Sequence, residues 1–255
     1  MRRARAYDTT IAYDVIGEGD PAIVVIPQWF LSSRSMRASA LVRALAERHR
    51  VIVYDRRGTG ESDKPGPPYT VARDARDVHG LLDALALDSC VLLGHGVRGS
   101  LVGLSLAGHL PGRVRALLCI GGTPRWGAGP EWPYGIDDAA WEAAFGYLRS
   151  TAGPPPGASI AMKADWDATG REAAMDILEQ TRDEDLRHFL PKVTAPTLVL
   201  HMKGDEYVPF EAARWLAESL PNGVLELFDA EREIPFHAHE ALADHIEEFL
   251  RVGGA

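Results

Sequence analysis

Cysteine is scarce in this chain, with two residues, Cys90 and Cys119, among 255. A disulfide-stapled scaffold is thereby excluded. Both cysteines fall in apolar, strand-like runs and read as small buried hydrophobes in a reducing cytoplasm. No apolar run reaches eighteen residues, so no membrane-spanning helix is expected. Positive charge is short as well: 27 Lys and Arg stand against 36 Asp and Glu, a formal net charge of −9. That balance argues against a nucleic-acid partner. The opening arginines (Arg2, Arg3, Arg5) are followed by Asp8, Thr9 and Thr10 rather than by an apolar stretch, so no signal peptide is read and a cytoplasmic protein is expected. Internal repeats are missing, and the one low-complexity patch, "AGPPPGA" at 152–158, reads as a loop tip. What remains is ordinary globular composition, 46% hydrophobic and 25% charged, long enough for one large α/β domain or a core with an insertion.

The rhythm of the chain is strand and helix in alternation. "RAYDTTIAYDVIGEGDPAIVVIP" holds two alternating strands, a turn and a continuous apolar strand at Ala22–Ile26. A helix is expected over Ser35–Arg48, a buried strand over Arg50–Asp55 and a helix over Thr70–Leu85. "CVLLGH" then runs into a helix over Val97–Leu110, followed by a strand over Val114–Gly122. Unbroken apolar strands separated by helices imply a mainly parallel sheet covered on both faces. From Thr123 to about Asp185 the pattern changes. Trp126, Trp132, Tyr134, Trp141, Phe145, Tyr147 and Trp166 cluster there with helical stretches but no convincing strand. The expected organisation is therefore a core made of residues 1–122 and 186–255, with a helical cap inserted at 123–185. The core resumes with a strand at Pro196–Met202, a helix from Glu211, the strand "GVLELF" and a last helix over Glu240–Val252.

Three stretches give this order a family likeness: "DRRGTGESD" (Asp55–Asp63), "GHGVRG" (Gly94–Gly99) and "GDEYVP" (Gly204–Pro209). Together they resemble the α/β-hydrolase superfamily over essentially the whole chain. "DVIGEGDPAIVVIPQW", "PEWPYGIDDAAWE" and "LRHFLPKVTAPTLVLHMKGDEYVP" are further similar to bacterial α/β-hydrolase modules often joined to nucleotide-cyclase or transcription-regulator domains. The resemblance implies a mainly parallel sheet of about eight strands with helices on both faces and a helical cap.

It also implies a serine at the turn after the fifth strand, a histidine near the C-terminus and an aspartate that orients it. The aspartate position falls on Asp205, in a place where Asp also serves as an ordinary turn residue. The serine position falls on Gly96, between His95 and Val97, and the family's following glycine is Arg98. A strained turn costs a non-glycine residue roughly 1–3 kcal/mol, so glycine is the relaxed choice once attack is no longer selected. Ser100 lies one helical turn on and points elsewhere. The histidine position falls on Arg232 or on Glu233, depending on the match, and His237 and His239 a few residues later read as surface or cap-proximal histidines. The family's glycine after the third strand is replaced in Pro27-Gln28-Trp29. Arg98 is expected to pair with Asp205, Glu233 or a cap carboxylate, because an unpaired buried arginine is costly. Arg56 and Arg57 read as braces of their loop.

These losses point first to a non-hydrolytic protein that binds a small, partly apolar molecule between core and cap. The pocket would be lined by Gln28, Trp29, His95, Gly96, Val97, Arg98, Trp126, Trp132, Trp141, Glu233 and His237. The alternative is an isomerase, cyclase or lyase that uses Glu233 as acid or base. A serine-type ester hydrolase comes last. No metal and no cofactor is expected, and the oligomeric state stays open.

Overall fold

β3 (Ile23–Ile26) and β4 (Val51–Tyr54) are each four residues of Val, Ile or Tyr, buried at every position. Apolar side chains on both faces of so short a run suit the middle of a covered sheet. In a computed structural model that describes residues 1–150, 160–205, 207–228 and 239–253, these strands lie near the centre of an eight-stranded sheet. The remaining strands are β1 (Arg2–Ala6), β2 (Thr9–Ile16), β5 (Cys90–His95), β6 (Val114–Ile120), β7 (Thr197–Met202) and β8 (Gly223–Phe228), and the order across the sheet is β1-β2-β4-β3-β5-β6-β7-β8. The pairs β1/β2 and β2/β4 are antiparallel; all others are parallel. The opening arginines thus belong to an edge strand.

Helices cover both faces. On one lie α3 (Val71–Ala84), α4 (Gly96–His109) and α9 (Phe210–Ser219); on the other lie α1 (Ser33–Ala38), α2 (Ala40–Leu45) and α10 (His239–Gly253). Where one helix is expected over Ser35–Arg48, the chain forms two short ones. Ser39 takes an extended conformation (φ −62°, ψ 134°) and ends α1 by donating its N–H to the Met36 carbonyl. Val97 to Ala107 of α4 are buried without a break, so this helix is sealed between sheet and neighbours. Cys90 and Cys119 are fully buried free thiols, and burial pushes both up to about 12, which leaves them protonated and inert.

Between β6 and β7 the described residues form α5 (Asp138–Phe145), α6 (Tyr147–Ser150), α7 (Ile160–Thr169) and α8 (Arg171–Asp183). α5 starts on an Asp137 cap that accepts from the Ala140 N–H at 2.8 Å. One group of contacts closes the neck of this segment and another ties it to the sheet domain. At its neck, Arg125 pairs through Nη1 with Asp185 (2.7 Å), and Arg187 adds a second guanidinium at 2.8 Å. In α7, Asp165 is buried and accepts from the Ser32 hydroxyl and N–H and from the Ser35 hydroxyl.

The neck gives a prediction. Burial alone would raise the Asp185 carboxyl, but hydrogen bonds from Arg187 and Arg125 outweigh it and hold it at about 2. Its folded value lies below the unfolded one of about 3.9. The stabilisation is therefore complete above that value and is lost as pH falls through 2. In urea titrations at successive pH values, Asp185→Asn should be the less stable form at pH 7 and lose less than the wild type between pH 5 and 2.5. Parallel pH profiles would show that the neck contributes nothing to acid sensitivity.

Candidate functional site

β3 is bordered by β4 on one side and β5 on the other, so the chain reverses its direction across the sheet at this strand. In open parallel sheets the crevice at such a reversal is where ligands bind. Two loops meet there: Pro27-Gln28-Trp29 after β3, and the turn from His95 to Gly96 after β5.

The strand-to-helix turn has no loop residue. His95 is still extended (φ −87°, ψ 122°), and Gly96 begins α4 with φ +64°. This is the left-handed region, where a side chain is strained and glycine is not. The space a side chain would take is already filled. A Cβ on Gly96 would fall within the Gln28 amide, 2.7 Å from Oε1 and nearer still to its carbon and nitrogen. That amide is held by the Arg98 N–H, which donates to Gln28 Oε1 at 2.8 Å. One orphan N–H of the helix start is therefore satisfied by a side chain from another loop. Sequence reading places Gln28 in the loop after the third strand and in the pocket lining; its reach into the vacated turn depends on loop geometry that spacing does not reveal. The Gln28 amide thus fills the space directly in front of Gly96.

Arg98 turns away from the crevice. It is fully buried, and its Nη2 donates to Asp74 Oδ2 (2.8 Å) and to the Tyr69 carbonyl (2.6 Å). Nε reaches the same carboxylate oxygen at 3.1 Å, and Nη1 reaches Thr181 Oγ1 at 3.3 Å. Arg56 Nη1 also donates to Asp74 Oδ2, at 2.8 Å. The ion pair is present: among the described residues its hydrogen-bonded partner is Asp74, and Glu184 of the inserted segment adds a longer-range attraction. The start of α4 aims residue 98 at the neighbouring α3, from which Asp74 projects. Burial lowers the Arg98 guanidinium from its usual range, and Asp74 opposes that shift. Arg57 binds Asp77 through Nε (2.5 Å) and Nη2 (2.6 Å), and Asp8 through Nη2 at 3.1 Å. Both loop arginines are bound within the scaffold, as a bracing role requires.

Over the crevice the rings form a stack. Trp29 lies 5.5 Å from Trp126 at an interplanar angle of 26°, and meets the edges of Phe145 and Tyr207 at 83° and 89°. Trp126 in turn meets Trp141 at 5.3 Å and gives its indole N–H to the Tyr207 carbonyl. Trp29 takes part at a cost. Its φ is +36°, a strain of about 1–3 kcal/mol for a bulky residue, and its indole N–H is buried without an acceptor, a further cost of about 1–3 kcal/mol. Each ring contact returns about 0.5–1.5 kcal/mol. Trp132 is apart from this group. It packs on Tyr134 and, at 5.1 Å, on Trp215 of α9. It thereby docks the inserted segment on the sheet domain.

Asp205 follows β7, and its Oδ1 accepts from the N–H groups of Tyr207 (2.8 Å) and Val208 (3.0 Å), an Asx-type turn. It also borders a half-open cavity of about 280 Å³ with His201, Phe210 and Leu227. Burial lowers His95 to about 4, so its ring is neutral at pH 7. Val97 is buried, and Ser100 donates to the Gly94 carbonyl at 3.3 Å rather than facing the crevice. Arg232, Glu233 and His237 lie outside the described residues, and His239 opens α10. Among the described residues no group of three or more His, Cys, Asp or Glu is placed to hold a metal ion.

A mostly parallel eight-stranded sheet, a sharp strand-to-helix turn after its fifth strand and helices inserted between the sixth and seventh define an α/β-hydrolase architecture. Residues 21–164 match the alpha/beta hydrolase fold family, and the chain belongs to it. A pimeloyl-[acyl-carrier protein] methyl ester esterase of Aromatoleum aromaticum is 32% identical over 91% of this chain and 98% of its own length. A non-heme chloroperoxidase of Streptomyces lividans is 28% identical over 87% of this chain and 88% of its own. Among solved structures, an esterase of Exiguobacterium antarcticum has a TM-score of 0.78 and 26% identity, covering 98% of this chain and 96% of that one.

Proposed function

We propose that this chain is a non-hydrolytic member of its family, which binds a small, partly apolar molecule where the sheet domain meets a helical cap formed by residues 123–185. The carrying observation is the turn after β5. The position from which a nucleophile would project holds a left-handed glycine, with the Gln28 amide seated in front of it. Acyl transfer at such a turn needs an oxygen or sulfur nucleophile next to a base. Among the described residues, the groups beside Gly96 are the Gln28 amide and the His95 imidazole, which burial lowers to about 4 and so leaves a weak base. Relatives named as esterases and peroxidases share the fold, but function resides in the site rather than in the fold. Gln28, His95, Trp126 and Trp141 would form the binding wall, while Arg98 and Trp132 hold the scaffold.

The purified protein should show no label with a fluorophosphonate probe and should hydrolyse p-nitrophenyl acetate and butyrate no faster than buffer. A labelled serine peptide, or turnover that a single substitution abolishes, would return the chain to the hydrolases and identify its nucleophile.

A further inference from the structure

We propose that the Trp29 indole occupies a slot meant for a ligand, and that this ligand is a flat, neutral, bicyclic aromatic molecule. The inference rests on the small-molecule reading above and names the class of molecule. Three features of Trp29 carry it. Its backbone sits at φ +36°, where few side chains reside, and its indole N–H is buried with no acceptor. Its ring nevertheless makes three aromatic contacts, with Trp126 near-parallel and with Phe145 and Tyr207 edge-on. A residue that is strained and unsatisfied, yet stacked among rings, is a stand-in: a free bicyclic ring makes the same three contacts without the strained backbone or the stranded donor. Strain of this kind collects at ligand sites.

Shape and charge narrow the class. One near-parallel wall with two perpendicular edges fits a plate, not a sphere such as a quaternary ammonium. The described walls of the slot are rings, which favour a neutral plate over a charged one. Among the described residues, Arg98 is engaged with Asp74 and Arg182 with Asp138, while Arg182 also covers the Trp141 face at 5.0 Å. Access lies on the Tyr207 side, where that residue is 46% exposed.

Titration calorimetry with three naphthalene probes tests the slot: neutral 2-naphthol, anionic 2-naphthoate and cationic 1-naphthylmethylammonium. Wild-type protein should bind 2-naphthol saturably and at least about tenfold tighter than either charged probe. Saturation should shift the Trp29 indole N–H resonance. Trp29→Ala, with nothing left to displace, should bind 2-naphthol about tenfold tighter than wild type, and Tyr207→Ala several-fold weaker. Binding by Trp29→Ala alone would mean an engineered void only and overturn the proposal. So would preference for a charged probe, indifference to Tyr207→Ala, or silence from all three probes with the wild type. Fluorophosphonate treatment of the same samples separates the two readings. Labelling overturns the non-hydrolytic reading, whereas silent calorimetry without labelling overturns the slot alone.

Discussion

Asp74→Ala should destabilise the protein by about 3–5 kcal/mol, the cost of breaking a buried ion pair by removing one partner. For a chain of this length that corresponds to a melting temperature lower by roughly 6–20 °C. One carboxylate oxygen, Asp74 Oδ2, accepts from both Arg56 and Arg98, and all three side chains are sealed from solvent. Without it, two guanidinium groups face each other in a low-dielectric interior with no counter-charge in hydrogen-bond contact. Arg98→Met is the contrast. It keeps volume and leaves Asp74 paired with Arg56, so its cost should come mainly from the Tyr69 carbonyl that loses its donor, about 1–3 kcal/mol, below that of Asp74→Ala. Urea unfolding of both variants decides the matter. Equal losses would mean that the shared carboxylate is not what holds the arginines.

The sheet was legible because its strands are apolar on both faces. Runs such as "IVVI" and "TLVLHM" fit no exposed element, and the helices between them carry their own stripes. The break at Ser39 was hidden, since "MRASALVR" keeps a helical pattern through the turn. At the site, Gly96 was readable from its neighbours because the turn's geometry is imposed by the strand and helix on either side. Its plug was not readable. Gln28 lies 68 positions earlier in the chain, and only packing of the loops after β3 and β5 brings the two together. The same holds for Arg98, for which sequence spacing called for a partner but gave no sign that α3 would provide it. Asp165 was missed for a related reason. An aspartate inside the polar-looking run "KADWDATG" reads as solvated, yet two serines after β3 bury it.

Putting the family's residue back tests how far the turn has diverged. Gly96→Ser should lower stability by about 2–4 kcal/mol. Left-handed strain contributes about 1–3 kcal/mol, and expelling the Gln28 amide breaks its hydrogen bond with the Arg98 N–H, a net loss of about 0.5–1.5 kcal/mol. Adding Gln28→Gly should recover part of that loss, because the collision disappears while the strain remains. The two positions are in contact, so their effects should be non-additive by about 0.5–3 kcal/mol. Neither variant should gain esterase activity, since a serine without a base is a weak nucleophile at pH 7. A third change, a histidine at Arg232 or Glu233, supplies an imidazole where the family places one, and only the triple variant should begin to react with a fluorophosphonate. The order of effects is decisive. If Gly96→Ser alone cleaves p-nitrophenyl esters, a working base is already in place, His237 becomes the first candidate, and the chain is one substitution away from a hydrolase. If Gly96→Ser is as stable as the wild type, Gln28 does not fill the turn, and the account of why this position is glycine fails with it.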